Sequence, residues 1–219
     1  MTTVTIPRLS TVPQSPLDPL WERVPALDVA QFHARSSPHR PTVRAQLGHS
    51  GDHLHLRFTV YDRYVVSRTT VPNGPVCTDS CVEFFVEPLP GQGYFNLEIN
   101  AGGTVHCSHM TDPTWTPNGF AGCHLLDQAE LSTMRIATTL PPVIENEIDR
   151  PIDWALCVHA PIALFAQRLG RMPPVPGTWR GNFYKCADHS SHPHWASWAP
   201  IGERLAFHVP ERFGVLELL

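Results

Sequence analysis

Two glutamates in this 219-residue chain stand where their carboxylates could do chemistry. Glu83 lies in "GPVCTDSCVEFFVEP", residues 74–88, and Glu98 lies in "YFNLEINAGGTVHC". In the first segment Val82, Phe84 and Val86 alternate with Cys81, Glu83 and Phe85, the pattern of a half-buried strand. In the second, Phe95, Leu97 and Ile99 take the core side, and Tyr94, Asn96, Glu98 and Asn100 take the other, because side chains on a strand alternate between its faces. A row of Tyr, Asn, Glu and Asn is either a hydrogen-bonding surface for a ligand or a solvated outer face. If the two strands are neighbours, Glu83 and Glu98 can face one another. A carboxyl pair at a separation of roughly 5 to 9 Å is what glycoside hydrolysis requires, but the pattern does not set that distance. No GxSxG elbow and no Gly-rich phosphate loop is present.

The second candidate is the aromatic loop "HPHWASWAP", with Trp195 and Trp198. An indole can stack on the C–H face of a pyranose while amide and carboxylate groups take its hydroxyls. Either Trp could instead plug the end of the fold, Trp198 more readily than Trp195. His189, His192 and His194 make an HxxHxH cluster that offers imidazole ligands to a transition metal. With 13 histidines in the chain, chance clustering is the plainer account. The six cysteines form no CxxC pair. Cys77 and Cys81 are spaced CxxxC, but no second ligand pair follows in zinc-finger style. Cys157 and Cys186 fall inside strand-like segments and read as small core residues. There is no disulfide framework, which is consistent with a reducing compartment.

Composition bounds the rest. The net charge is -4 and the basic residues are scattered, so no nucleic-acid or anionic-membrane footprint is present. The N-terminus "MTTVTIPRLSTVPQSP" lacks the pattern of a signal peptide, so the expected location is cytoplasmic by default. No run approaches the ~18 apolar residues of a membrane span. The 23 prolines mostly punctuate short apolar runs, which suits many turns and opposes long helices.

These residues need a sheet to position them. Residues 1–16 read as an extended lead-in, and 17–219 as a single domain. A short strand is expected around Leu27 and Val29. A hairpin follows, with Val43, Ala45 and Leu47 on one arm and Leu54, Leu56, Phe58 and Val60 on the other. The alternating His53 and His55 are expected at the surface. Residues 109–125 read as loop around Trp115. "STMRIATTLPP", "DWALCVHAPIALF" and "GTWRGNFYKCAD" read as strands, and a last one closes the chain. Many short strands with no helical period predict an all-β, two-sheet antiparallel β-sandwich of immunoglobulin-like or jelly-roll type.

Taken in order, "LHLRFTVYD", "DSCVEFFVEP", "YFNLEINAGGTV", "WRGNFYKCAD", "SWAPI" and "FHVPERFGVLEL" resemble the family 9-like carbohydrate-binding modules of the DOMON-like superfamily, from about Trp21 to the C-terminus. The resemblance implies non-catalytic binding of a mono- or oligosaccharide, linked to polysaccharide catabolism and a possible glycoside hydrolase partner. It also implies a clamp of two Trp side chains, with a Glu, an Arg and an Asn on the sugar hydroxyls. Glu83 matches that Glu. Cys77 stands where the first clamp Trp would be, Asn96 falls near the Arg, and the second Trp maps to Trp195 or Trp198. Some members hold structural calcium, for which Asp62 and Asp79 are the candidate oxygen ligands; no other cofactor is expected. Two alternatives remain. One is an interaction or scaffold module with a degenerate site. The other is a haem-binding domain, as in other DOMON-like sandwiches, drawing on Met110, Met134 or Met172 with a histidine.

Overall fold

The computed structural model describes residues 2–219. In chain order its strands are β1 (Thr3–Ile6), β2 (Ala26–Asp28), β3 (Gln31–Phe32), β4 (Thr42–His49), β5 (His53–Ser67), β6 (Cys81–Glu87), β7 (Tyr94–Asn100), β8 (Val105–Thr116), β9 (Gly119–Leu125), β10 (Arg135–Thr138), β11 (Ile144–Pro161), β12 (Gly177–Cys186), β13 (Trp195–Ser197) and β14 (Gly214–Leu218). Two short α-helices join them, α1 (Gln128–Leu131) and α2 (Ile162–Leu169). One sheet runs β1-β14-β12-β6-β7-β8-β9, with β13 and β3 extending it beside β12; the other runs β10-β11-β5-β4-β2. Every pairing is antiparallel except β1 with β14. The all-β sandwich is therefore as expected.

The alternation builds the core between the sheets. Val82, Phe84 and Val86 of β6 and Phe95, Leu97 and Ile99 of β7 meet Leu54, Leu56, Phe58 and Val60 of β5 and Leu156 and Val158 of β11. Truncating a buried Phe in such a core costs about 3–5 kcal/mol.

Four expectations need correction. First, β6 and β7 are not half-buried: all seven residues of each are buried. Their outer face carries a second apolar layer, in which Phe85, Tyr94, Met110 and Tyr184 pack under Ile201, Leu205, Phe207, Val209 and Phe213. Second, residues 109–125 are not loop; β8 and β9 form a hairpin that tolerates Pro113 because the register shifts beside it. Third, "IALF" is helix. Residues Ile162–Leu169 are rich in Ala, Leu, Gln and Arg, bury Ile162 and Phe165 at helical spacing, and end at Gly170 with φ 69°. Fourth, the lead-in contributes β1, which pairs with β14 and so belongs to the sheet.

Candidate functional site

The roof over the outer face of β12, β6, β7 and β8 is incomplete. It leaves a cleft of about 490 Å³ whose lining includes Glu83, Asn96, Glu98, Asp188 and Trp195. Strand register sets the floor. Glu83 and Glu98 are direct cross-strand partners, Glu98 faces His106, and Cys81 faces Cys186. Backbone pairing thus fixes these side chains, since opposed Cβ atoms lie about 4.5–5.5 Å apart.

The polar groups on the floor are tied to each other. Asn96 Nδ2 donates to Glu98 Oε1 at 2.7 Å, and Asn96 Oδ1 accepts from Ser108 Oγ at 2.5 Å and Ser108 N at 2.9 Å. Cys186 Sγ donates to Glu83 Oε1 at 3.0 Å. On the wall, Trp195 Nε1 donates to Asp188 Oδ1 at 2.7 Å, which fixes the indole while leaving it half-buried. Burial pushes the Glu83 carboxyl well up, and the neighbouring Glu98 adds to the rise. Burial also raises Glu98 and Asp188. Among the described residues no Lys or Arg lines the cleft. Carboxyls in this state can both donate to and accept from a hydroxyl.

Of the expected site residues, Glu83, Asn96, Glu98 and Trp195 converge on the cleft. Tyr94 lies beneath it, in the apolar layer, with its hydroxyl 2.7 Å from His208 Nδ1. Asn100 does not reach it: its Nδ2 donates to Thr69 O and Asp79 Oδ2, and its Oδ1 accepts from Thr104 N, pinning a turn. Trp198 packs on the main core with its ring 5.7 Å from Phe183. It lies so close over Gly214 that a Cβ there would meet Trp198 Cζ3 at 2.4 Å, so only glycine fits. Trp198 is structural.

Other assignments shift as well. Cys186 is not simply a core residue, because it lines the cleft together with Cys77. His55 is buried, not superficial: its cross-strand partner is His159, and the two Nδ1 atoms are 2.7 Å apart. Of the HxxHxH histidines, His192 and His194 both flank His39 while His189 stands apart. His189 is exposed, His192 stacks on Tyr64 at 3.6 Å, and His194 accepts from Lys185 Nζ at 2.9 Å.

The proposed calcium ligands are already engaged. Asp62 faces Lys185 Nζ at 3.8 Å and His39 Nε2 at 2.7 Å, and Asp79 Oδ2 accepts from Thr69 N and Asn100 Nδ2. An ammonium in the place a cation would take does not suit calcium. Of the methionines, Met110 lines the cleft together with His106 and His208, Met134 is in the core, and Met172 is exposed.

Phe120, Phe207, His106, His208 and Asp188 complete the cleft unforeseen. His106 follows the face of β8 that carries Ser108, so period 2 would have found it once that strand was recognised. Phe207 and His208 come from an irregular segment with no periodic signal. A second cavity of about 460 Å³ lies over the five-stranded sheet, lined by Arg44, Arg57, Thr59 and Tyr61 among others. Its polar groups are spread over an exposed strand face and include no comparable buried network.

A β-sandwich with a roofed outer face, a floor of buried carboxyl and amide groups and a fixed indole on the wall is the architecture of a sugar-binding module. The chain belongs to carbohydrate-binding family 9, whose model matches residues 17–218. It is also similar to solved structures. A protein of Bacteroides uniformis ATCC 8492, provisionally described as carbohydrate-binding, is 26% identical with a TM-score of 0.86, over 100% of this chain and 99% of that one. A family 9 module of Caldicellulosiruptor kristjanssonii solved with glucose is 13% identical with a TM-score of 0.66, over 100% and 96%. The same source provides a family 9 module solved with cellotriose, 14% identical with a TM-score of 0.60, over 99% and 93%. No curated protein matches.

Proposed function

We propose that the cleft binds a mono- or short oligosaccharide and does not cleave it. The observation that carries this reading is the buried Glu83–Glu98–Asn96 floor beside Trp195, in a chain of carbohydrate-binding family 9. Ring hydroxyls would meet carboxyl and amide groups that already hold one another in place, and the apolar ring face would meet the indole. Cys77 stands where the resemblance puts the first clamp Trp, and Phe120 and Phe207 supply aromatic surface to the cleft from other segments. Catalysis is disfavoured by placement. Glu83 and Glu98 rise side by side from one floor, whereas a glycosidase sets its two carboxyls on either side of the scissile bond. Partnership with a glycoside hydrolase would then be one of delivery, with this module holding the glycan.

Isothermal titration with glucose and cellotriose, the sugars held by the two Caldicellulosiruptor modules, tests the proposal. Modest affinity is expected, because each hydroxyl gives up good hydrogen bonds to water. Trp195→Ala should weaken binding by about fivefold or more, since one lost stacking contact is worth about 1–3 kcal/mol. No heat with either sugar, or with a wider glycan panel, would favour the interaction-module reading. Adding calcium should change nothing.

A further inference from the structure

Cys77 and Cys81 have metal-ligand spacing but no second pair in sequence. The fold supplies partners from a neighbouring strand. Cys81 on β6 and Cys186 on β12 are direct cross-strand partners. Glu83, two residues beyond Cys81, projects from the same face. One ligand atom from each of these three buried residues lies within 4.8 Å of the others. Cys186 Sγ and Glu83 Oε1 are 3.0 Å apart. A tetrahedral zinc site has Zn–S bonds of about 2.3 Å and Zn–O bonds of about 2.0–2.2 Å, so neighbouring donors sit about 3.5–3.8 Å apart. Side-chain rotation is enough to reach that geometry, because the ligands stand on paired strands and the backbone need not move. Cys77 packs against the cluster formed by Val76, Cys81 and Cys186 and lines the cleft.

The surroundings point independently to a cation. Glu83, Glu98 and Asp188 all line this cleft, and among the described residues no Lys or Arg does. Gathering three buried or half-buried acids with no Lys or Arg in contact is costly if they ionise, and a divalent ion among them would offset that cost.

We infer that Cys81, Cys186 and Glu83 form a soft-metal site for Zn²⁺ at the base of the cleft, with the fourth coordination position open toward Cys77. Two thiolates and one carboxylate suit zinc rather than calcium or magnesium. On binding, the protons of the two thiols and any proton on Glu83 leave to solvent, so affinity rises with pH. The ion takes one oxygen of Glu83 and leaves the second free. The inference does not rest on sugar binding.

The test is titration of the reduced, EDTA-treated protein with Zn²⁺ and, separately, with Co²⁺. One equivalent should bind, and the Co²⁺ form should show thiolate-to-metal charge-transfer absorption. Cys186→Ser and Cys81→Ser should each lower Zn²⁺ affinity by more than about 100-fold, the upper end of what losing a merely outer-shell partner costs. Cys123→Ser, which removes an exposed thiol also lining the cleft, should leave affinity unchanged. Should the serine variants fail to fold, X-ray absorption of the Zn²⁺-loaded wild type decides: two sulfur neighbours support the site. A shell of nitrogen and oxygen alone overturns it. So do the absence of stoichiometric binding, a dependence on Cys123, and a Cys81–Cys186 disulfide that forms in preference to metal binding. Sugar titration with and without Zn²⁺, read on Trp195→Ala, keeps the two questions apart, because Trp195 offers no ligand atom to the ion.

Discussion

Lys185 and Cys186 are consecutive on β12 and face opposite ways. Lys185 turns between the sheets and meets Asp62, a β5 residue that continues the inward series of Phe58 and Val60. Cys186 turns out to the cleft and meets Glu83. The two acids are equally hidden, Asp62 at 2% exposure and Glu83 at 3%. Their states differ. Burial acts to raise both, but at Asp62 it is outweighed by Lys185 and by hydrogen bonds from His39 and the Arg63 backbone, and the carboxyl is held well below the usual range. At Glu83 the same Lys185 acts only weakly, from the opposite face of the sheet, and burial with the neighbouring Glu98 carries the carboxyl well up. What decides the state of a buried acid is therefore its partner, not its depth. Asp62 has its counter-ion from the fold and is structural. The cleft acids have no Lys or Arg in contact, and the cationic influences on them are too weak to offset burial, which is the condition of groups that wait for a ligand.

The largest effect at neutral pH should come from breaking the structural pair. Asp62→Ala leaves the Lys185 ammonium buried without its acid, and destabilisation of about 3–5 kcal/mol is expected in denaturant unfolding. Replacing both partners, as in Asp62→Leu with Lys185→Met, should recover most of that loss. A cost below about 1 kcal/mol for Asp62→Ala would dissolve the distinction between the two acids, since it is the range of a solvent-exposed pair.

A comparable effect, spread over a range of pH, is expected where two bases share a buried site. His55 and His159 face each other across β5 and β11. Burial lowers both to about 4; the His159 charge adds to the fall at His55, and Arg135 adds to it at His159. The unfolded chain takes up these protons near the ordinary pKa of about 6.5, while the folded protein refuses them until about pH 4. Stability contributed by the neutral pair is thus full above about pH 6.5 and drains away between there and about pH 4. A loss on the order of 3–7 kcal/mol over that window, from one ring to both, is expected from unfolding curves at stepped pH. Replacing both rings, as in His55→Phe with His159→Phe, should flatten the window. An unchanged slope in that variant would move the acid sensitivity elsewhere.

How far the sequence reaches follows from the same facing rule. The alternation of Val82, Phe84 and Val86 with Glu83, and of Phe95, Leu97 and Ile99 with Asn96 and Glu98, is legible because period 2 is written in residue type. It correctly put the glutamates on one face and the core on the other. What it could not show is what covers that outer face. The segment carrying Leu205, Phe207 and His208 has no period, and its docking on Phe85 and Tyr184 is long-range packing. The helix Ile162–Leu169 was hidden for a different reason: it follows the long β11 without a polar break, and a short apolar run reads alike as strand or helix. Trp195 and Trp198 share a loop and a residue type, and only packing separates wall from core. The thiol cluster is also tertiary, because Cys186 reaches Cys81 through strand pairing across nearly half of the chain.

The smallest effect is the sharpest probe of the cleft. Glu83→Gln keeps the shape of the side chain and an oxygen that can accept from Cys186 Sγ, and removes only the capacity for charge. If Glu83 were a structural acid like Asp62, this change would cost several kcal/mol. Because no cation depends on Glu83, the expected change in unfolding free energy is within about 1 kcal/mol, the net scale of a single hydrogen bond. Two readings should separate in this one variant, with stability held and sugar affinity reduced, measured by denaturant unfolding beside calorimetric titration. A large loss of stability would mean that Glu83 serves the fold, and the cleft would lose its claim to be a surface held in readiness for a ligand.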